Sequence, residues 1–165
     1  MITIEPPSTR SSSIALAKPG LTRFLRRAQK AVGLTGEVGV LLTSDEEIRR
    51  LNRTFRKKNK ATDVLSFPAP KQLAGEHAGD LAISVDTAAR QAETFGHALS
   101  DELRILLLHG LLHLSGMDHE VDSGEMAQRE AELRAELKLP VSLIERVSQP
   151  RPGKRREKPV RSRSR

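Results

Sequence analysis

Three histidines within one short segment of this 165-residue sequence have the spacing of a metal site. His109 and His113 are four residues apart, so on a helix their Cβ atoms would lie about 5–6 Å apart on one face. Gly116 can adopt the left-handed conformation that ends a helix, which would bring His119 back towards the same point. The sequence contains no cysteine, so a transition-metal site must be built from histidine and carboxylate. Protein-bound Zn²⁺ usually has four ligands, so three imidazoles leave its fourth coordination position for water. We therefore predict one catalytic Zn²⁺ per chain.

The segment around these histidines is apolar almost all round, which predicts a buried helix. A single histidine on such a helix is usually a hydrogen-bonded core residue. Three of them, buried without partners, would each cost a few kcal/mol, and metal coordination removes that cost. Asp118 could be the fourth protein ligand of a closed structural site, but adjacent residues rarely both reach one ion, so we favour two other interpretations. It either supports the site as a proton-transfer residue or a hydrogen-bond partner of a ligand, or it forms the turn after the helix.

The spacing from His109 to His119 also matches a zinc-peptidase pattern at each histidine and at the glycine. Those peptidases carry their general base, a glutamate, at the second position of the motif. This sequence has Gly110 there, which has no side chain. The sequence therefore disfavours peptidase chemistry and requires acid–base groups from other segments.

Basic residues are concentrated in two segments. Residues 149–165 carry eight basic and one acidic side chain, so they account for the formal charge of +7, and the remaining 20 basic and 20 acidic residues cancel. This C-terminal segment has almost no aliphatic residues, which predicts a disordered tail that contacts polyanions without specificity. The second segment has seven basic residues and no acid: Arg49, Arg50, Arg53, Arg56, Lys57, Lys58 and Lys60.

This second segment has two interpretations, a solvated helix face or a track for an RNA backbone, and for the group we favour RNA. Tyr and Trp are absent and only four Phe are present, which excludes an RNA reader built on several stacking aromatics. We expect Phe55 and Phe67 to belong to the core, or one of them to line a cleft. We expect His77 and His97 to be exposed loop residues.

Hydrophobic periodicity and capping signals predict a single α+β domain, residues 1–148, with a central mixed β-sheet of about four strands packed with helices. Ser44 and Glu47 form a capping-box signature that starts a helix running to about Lys57. The other predicted helices span 21–32, 87–94, 101–115 and 123–137, and the predicted strands span 37–43, 63–67 and 80–85, with a weak edge strand at 14–17.

The N-terminus resembles no secretory signal, and no stretch has the roughly 18 apolar residues of a membrane span. We expect a soluble protein of a reducing compartment with no membrane partner.

Residues 109–119 match the signature H-G-x-L-H-L-x-G-x-D-H of the YbeY family of bacterial metal-dependent endoribonucleases at each fixed position. Residues 51–57, 62–68 and 79–84 resemble the family's other blocks in the same order. The resemblance implies a mixed sheet of about four strands and Zn²⁺ held by His109, His113 and His119. It also implies cleavage of single-stranded RNA in the cytoplasm, maturation of the small-subunit ribosomal RNA 3′ end, ribosome quality control, and the small ribosomal subunit as partner.

By matching position, Arg56 falls on the functional arginine of that family. A guanidinium is permanently charged and can donate two hydrogen bonds to one phosphate, so Arg56 is a candidate catalytic residue. Asp63 and Asp80 are candidates for capping, for hydrogen bonding to a ligand histidine or for proton transfer.

The sequence leaves three candidate functions. The first is a zinc-dependent endoribonuclease, in which either water or the ribose 2′-hydroxyl attacks. The second is a non-catalytic ribosome-assembly factor with structural zinc. The third, a peptidase, is disfavoured by Gly110.

Overall fold

The computed structural model describes residues 1–5, 11–118 and 120–140, which form five α-helices and a four-stranded sheet. In chain order the elements are β1 (Ile2–Ile4), α1 (Ser11–Val32), β2 (Glu37–Thr43), α2 (Asp45–Arg56), β3 (Val64–Pro68), β4 (His77–Ser84), α3 (Val85–Phe95), α4 (Leu99–Leu114) and α5 (Glu125–Glu136). A 3₁₀ turn, Lys71–Leu73, precedes β4.

The sheet has the strand order β1-β2-β4-β3. Strands β1, β2 and β4 are parallel to one another, and β3 is an edge strand that pairs antiparallel to β4. Because side chains alternate along a strand, Val40 and Leu42 point into the main core with α1 and α4, whereas Leu41 packs near Ile48 of α2 on the opposite face. The sheet is thus covered by helices on both faces.

Helix α4 lies in the centre of the main core, with eleven of its 16 residues buried. It passes so close to β4 that a Cβ atom at Gly110 would lie 2.7 Å from Leu81 Cδ2. Any side chain at position 110, including the glutamate of the peptidase motif, would therefore require the helix or Leu81 to move.

The carboxyl ends of β2 and β4 are joined by polar contacts around Asp45. Ser44 caps α2 as predicted, and its hydroxyl accepts a hydrogen bond from the Glu47 N–H at 3.2 Å. The Asp45 carboxylate accepts hydrogen bonds from the Ser84 and Thr87 hydroxyls and from Arg90. Burial raises the pKa of Asp45, but these donors outweigh it and hold the pKa below its usual value.

The predicted fold class is confirmed, since the described residues form an α+β domain with a mixed four-stranded sheet. The prediction of a strand at 14–17 is wrong. These residues belong to α1, which begins at Ser11 and continues through Pro19, and Ile14 is buried on the same helical face as Leu21. The first strand is instead Ile2–Ile4, which the sequence patterns did not indicate because three residues are too short to show alternation.

The domain boundary predicted at residues 148 and 149, and the tail 149–165, lie outside the described residues. Among the helices of the part that the structure describes, none has the length and apolar character needed to cross a bilayer.

We expect Gly110→Ala to lower the free energy of unfolding by about 1–3 kcal/mol, because the added methyl overpacks the contact with Leu81. Gly20→Ala is the matched control. It lies within α1, and a Cβ there would be 3.6 Å from the nearest atom, the Arg104 guanidinium. The control should gain roughly 0.5–1 kcal/mol from helix propensity. Urea denaturation measures both values, and equal stabilisation of the two variants would contradict the packing argument.

Candidate functional site

A cleft of about 600 Å³ lies along β3, the edge strand of the sheet. Its walls are the end of α2 with the loop that follows it, β3, and the C-terminal part of α4 with the turn after it. Eight residues singled out from the sequence line this cleft: Arg56, Lys58, Lys60, Asp63, His109, His113, Gly116 and Asp118. The structure therefore brings basic side chains and the two helical histidines to one place.

The two histidines of α4 are neighbours, as their spacing predicts. The ring centroids of His109 and His113 are 4.8 Å apart, and the rings are inclined at 74°. His109 is only 6% exposed, and its Nδ1 lies 3.2 Å from Oε2 of Glu130, a fully buried residue of α5. Carboxylates are often found in this position behind metal-binding histidines, where they orient the ring and select the nitrogen that faces the metal.

The donor set fits Zn²⁺, since it offers two adjacent imidazoles at a cleft wall. Because Nδ1 of His109 contacts Glu130, a metal ion at His109 would have to be bound through Nε2. His119, the third predicted ligand, lies outside the described residues. Within the described ranges no group of three or more metal-binding side chains occurs, so His109 and His113 are the residues placed here that would hold the ion.

The turn after α4 has the predicted form. Gly116 has a φ of +102°, and the Met117 N–H donates to the Leu112 carbonyl at 3.2 Å, which closes the helix end. Asp118 follows, and its Oδ1 accepts a hydrogen bond from the Glu120 N–H at 3.0 Å. This bond supports the turn-forming interpretation of Asp118. Its place in the cleft wall keeps proton transfer as a prediction.

Arg56 is held in a defined position at the end of α2. Its Nη2 donates to the Ser66 carbonyl at 2.7 Å, and its guanidinium carbon lies 5.9 Å from the centre of the Phe67 ring. Both contacts are made to β3. The guanidinium is thereby anchored to the strand that forms one wall of the cleft, and its remaining N–H groups can reach a phosphate.

Asn52 is a site residue that sequence reasoning did not identify. It is 3% exposed, and its Nδ2 donates to the Lys60 carbonyl at 3.0 Å. The main-chain carbonyl of Asn52 accepts hydrogen bonds from the N–H groups of Lys57 and Lys58, which follow the end of the helix. Asn52 thus holds the basic loop against the cleft, whereas in the sequence it resembles any other polar residue of an amphipathic helix.

The predicted basic track is divided between two clefts. Arg56, Lys58 and Lys60 line the histidine cleft. Three other members, Arg49, Arg50 and Arg53, line a separate cleft of about 850 Å³ together with Glu46 and Glu47. Arg50 forms an ion pair with Glu47 at 2.6 Å, and Lys57 is exposed at the helix end in a left-handed conformation. Three of the seven basic residues therefore share a cleft with the histidines.

Four other residues considered at the sequence level have clear positions. The prediction that His77 is an exposed loop residue is wrong, because His77 starts β4 and contacts Asp80. His97 lies in the loop between α3 and α4, as predicted, but its side chain is only 11% exposed. His97 Nε2 lies 2.7 Å from Oε1 of the buried Glu102. Asp63 lines the cleft and accepts hydrogen bonds from the Val64 N–H and the Gln91 amide.

Phe67 packs beside the small core around Ile48 and Leu65, as expected, but Phe55 does not belong to the core. It is 63% exposed.

Comparison with known proteins places these features in a family. The family model described as Endoribonuclease YbeY matches residues 9–138. The chain is 57% identical over 135 residues to a protein of Koribacter versatilis named Endoribonuclease YbeY, which covers 82% of this chain and 87% of that protein. A protein of the same name from Solibacter usitatus is 53% identical over 138 residues, covering 84% of this chain and 91% of the relative.

Among solved structures, the solution structure of TM1509 from Thermotoga maritima is similar to this fold. It has a TM-score of 0.51 and 27% sequence identity, and it covers 94% of this chain and 100% of the other.

Proposed function

The chain belongs to the YbeY endoribonuclease family, and from that premise we propose that it cleaves single-stranded RNA with one Zn²⁺ held by His109, His113 and His119. The observation that carries the proposal is the adjacent pair His109 and His113, backed by the buried Glu130, in a cleft that also contains Arg56. In this proposal the residues that bind the metal and the residue that binds the phosphate share one site.

Each side chain of the cleft has a role in this proposal. Arg56 binds the scissile phosphate and stabilises the negative charge that develops on its oxygens. Lys58 and Lys60 contact neighbouring phosphates of the strand. Glu130 orients the His109 ring. When bound, Zn²⁺ supplies Lewis-acid chemistry at the phosphate.

Asp118 is the candidate for moving a proton at the cleft wall. Product analysis distinguishes the two nucleophiles, since attack by the ribose 2′-hydroxyl leaves a 2′,3′-cyclic phosphate and direct attack by water does not.

We further propose that the protein acts in the cytoplasm on ribosomal RNA, in maturation of the small-subunit RNA 3′ end and in ribosome quality control. The support is the resemblance of residues 51–57, 62–68 and 109–119 to the blocks of the family. The basic side chains within residues 149–165 would add salt-dependent affinity for ribosomal RNA and the small subunit.

We expect purified protein to cleave unstructured RNA, and His113→Ala to reduce the rate at least about 100-fold, because losing a metal ligand removes several kcal/mol of transition-state stabilisation. Addition of a chelator to the wild-type protein should have a similar effect. His77→Ala is the matched control, since His77 lies on β4 and pairs with Asp80. Cleavage is followed on a gel with end-labelled single-stranded and duplex RNA.

Equal cleavage by wild type, His113→Ala and chelator-treated protein would contradict the metal-dependent mechanism and point to a contaminating nuclease. RNA binding without cleavage, with zinc retained, would favour the non-catalytic assembly factor.

Glu130→Gln should lower zinc affinity about 10- to 100-fold, because a neutral amide is a weaker partner for His109 than a carboxylate. Glu132→Gln is the control on the same helix, where Glu132 is exposed and faces Arg129. Competition with a chromophoric chelator measures both affinities. Identical zinc affinities for the two variants would show that the contact between Glu130 and His109 does not support metal binding.

Arg56→Lys should reduce kcat about 100-fold and leave KM within a few-fold of the wild-type value. An ammonium group keeps the charge but cannot contact the Ser66 carbonyl and still donate two parallel bonds to a phosphate. Arg27→Lys, an exposed position on α1, is the control. An increase in KM with unchanged kcat would show that Arg56 contributes only to binding of the RNA in the ground state.

A further inference from the structure

An exposed aromatic ring, Phe55, immediately precedes the cleft residue Arg56 at the end of α2. Phe55 is 63% exposed, and among the large hydrophobic residues exposed in the described part of the chain it is the one aromatic. Exposed rings of this size carry a hydration cost that burial would remove. Its neighbour in the sequence, Arg56, lines the cleft.

The Phe55 ring is held in place by a second aromatic residue. It packs edge-to-face on Phe67, with ring centroids 5.6 Å apart and an interplanar angle of 71°. The Arg56 guanidinium lies over the same Phe67 ring at 5.9 Å. Ser66 and Pro68, on either side of Phe67, both line the cleft. Phe55 and Arg56 therefore both contact the ring of Phe67, and of these three residues Arg56 is the one that lines the cleft.

The other three aromatic residues do not offer a comparable surface. Phe24 is 3% exposed in the core, Phe95 stacks against His97, and Phe67 is the ring on which Phe55 rests. A stacking contact in this cleft would involve one base.

We propose that Phe55 stacks against one nucleobase of the single-stranded RNA in the cleft, next to the phosphate that Arg56 binds. The inference rests on the proposed function and adds to it a residue that recognises the substrate. Every nucleobase has a π-face, so such a contact tolerates any sequence. It requires an unstacked base, which a loop or single strand presents and a paired helix does not. Phe55 thus selects for single-stranded RNA, whereas the basic residues bind any RNA backbone.

The test is a binding titration that needs no cleavage. A fluorescent, cleavage-resistant phosphorothioate single-stranded RNA is titrated with wild-type protein, Phe55→Leu and Phe55→Tyr, and the Kd is read from anisotropy. Phe55→Leu keeps an apolar side chain but removes the flat ring, so we expect about a tenfold higher Kd. Phe55→Tyr should restore binding to within about threefold. Leu16→Ala, at an exposed apolar position of α1, is the matched control and should leave the Kd unchanged.

A double-mutant cycle identifies the base that is contacted. A single abasic nucleotide is placed in turn at each position of the RNA, and Kd is measured for wild type and Phe55→Leu. At one position the abasic nucleotide should weaken wild-type binding about tenfold and have no further effect on Phe55→Leu. Additive losses at every position, or a Kd for Phe55→Leu equal to that of wild type, would overturn the proposal and leave Phe55 as a contact for a protein partner.

Cleavage of unmodified RNA is measured in parallel. Absence of cleavage by wild-type protein would contradict the proposed function while the titration still decides the role of Phe55.

Discussion

Burial of α4 is the constraint on which the rest of the structure depends. The helix is apolar almost all round, with eleven of 16 residues buried, so it must be enclosed by β3, β4 and the helices α1, α3 and α5. Enclosure requires close approach to the sheet, and Gly110 provides it where the helix contacts Leu81. The same packing sets the position of His109 and His113 at the cleft. Packing in this fold therefore requires glycine at position 110, where the zinc-peptidase motif has its catalytic glutamate.

Polar groups buried with α4 are compensated by specific partners, and one of these pairs belongs to the site. Near its N-terminus Glu102 meets His97, and near its C-terminal end His109 meets Glu130. An ionisable group in an apolar core is costly unless it is hydrogen-bonded or paired. The second pair has a further consequence, because packing of α5 against the core orients an imidazole at the cleft wall. Stability of the fold and geometry of the candidate metal site are thus linked through one contact.

The basic residues of this protein are unevenly distributed. The formal excess of +7 lies in residues 149–165, and the rest of the chain is formally neutral. Within the basic segment of α2 and its loop, the helix directs Arg49 and Arg53 to one cleft, and the chain after Arg56 passes to the other. Asn52 makes this division possible, because its amide fixes the loop carbonyl of Lys60. An RNA strand in the histidine cleft would meet three basic residues, Arg56, Lys58 and Lys60.

The sequence by itself determined the features that depend on neighbours within about four residues. These are the i, i+4 pair His109 and His113, the left-handed turn at Gly116 and the cap at Ser44, because periodicity and capping are local properties. The class of fold then follows from the order of such local elements along the chain. Tertiary structure alone decided which partners meet across the fold. Glu130 lies 21 residues from His109, and Arg56 reaches Ser66 on another element. No local pattern encodes such pairs, since they follow from how buried polar groups find partners once helices and sheet have packed.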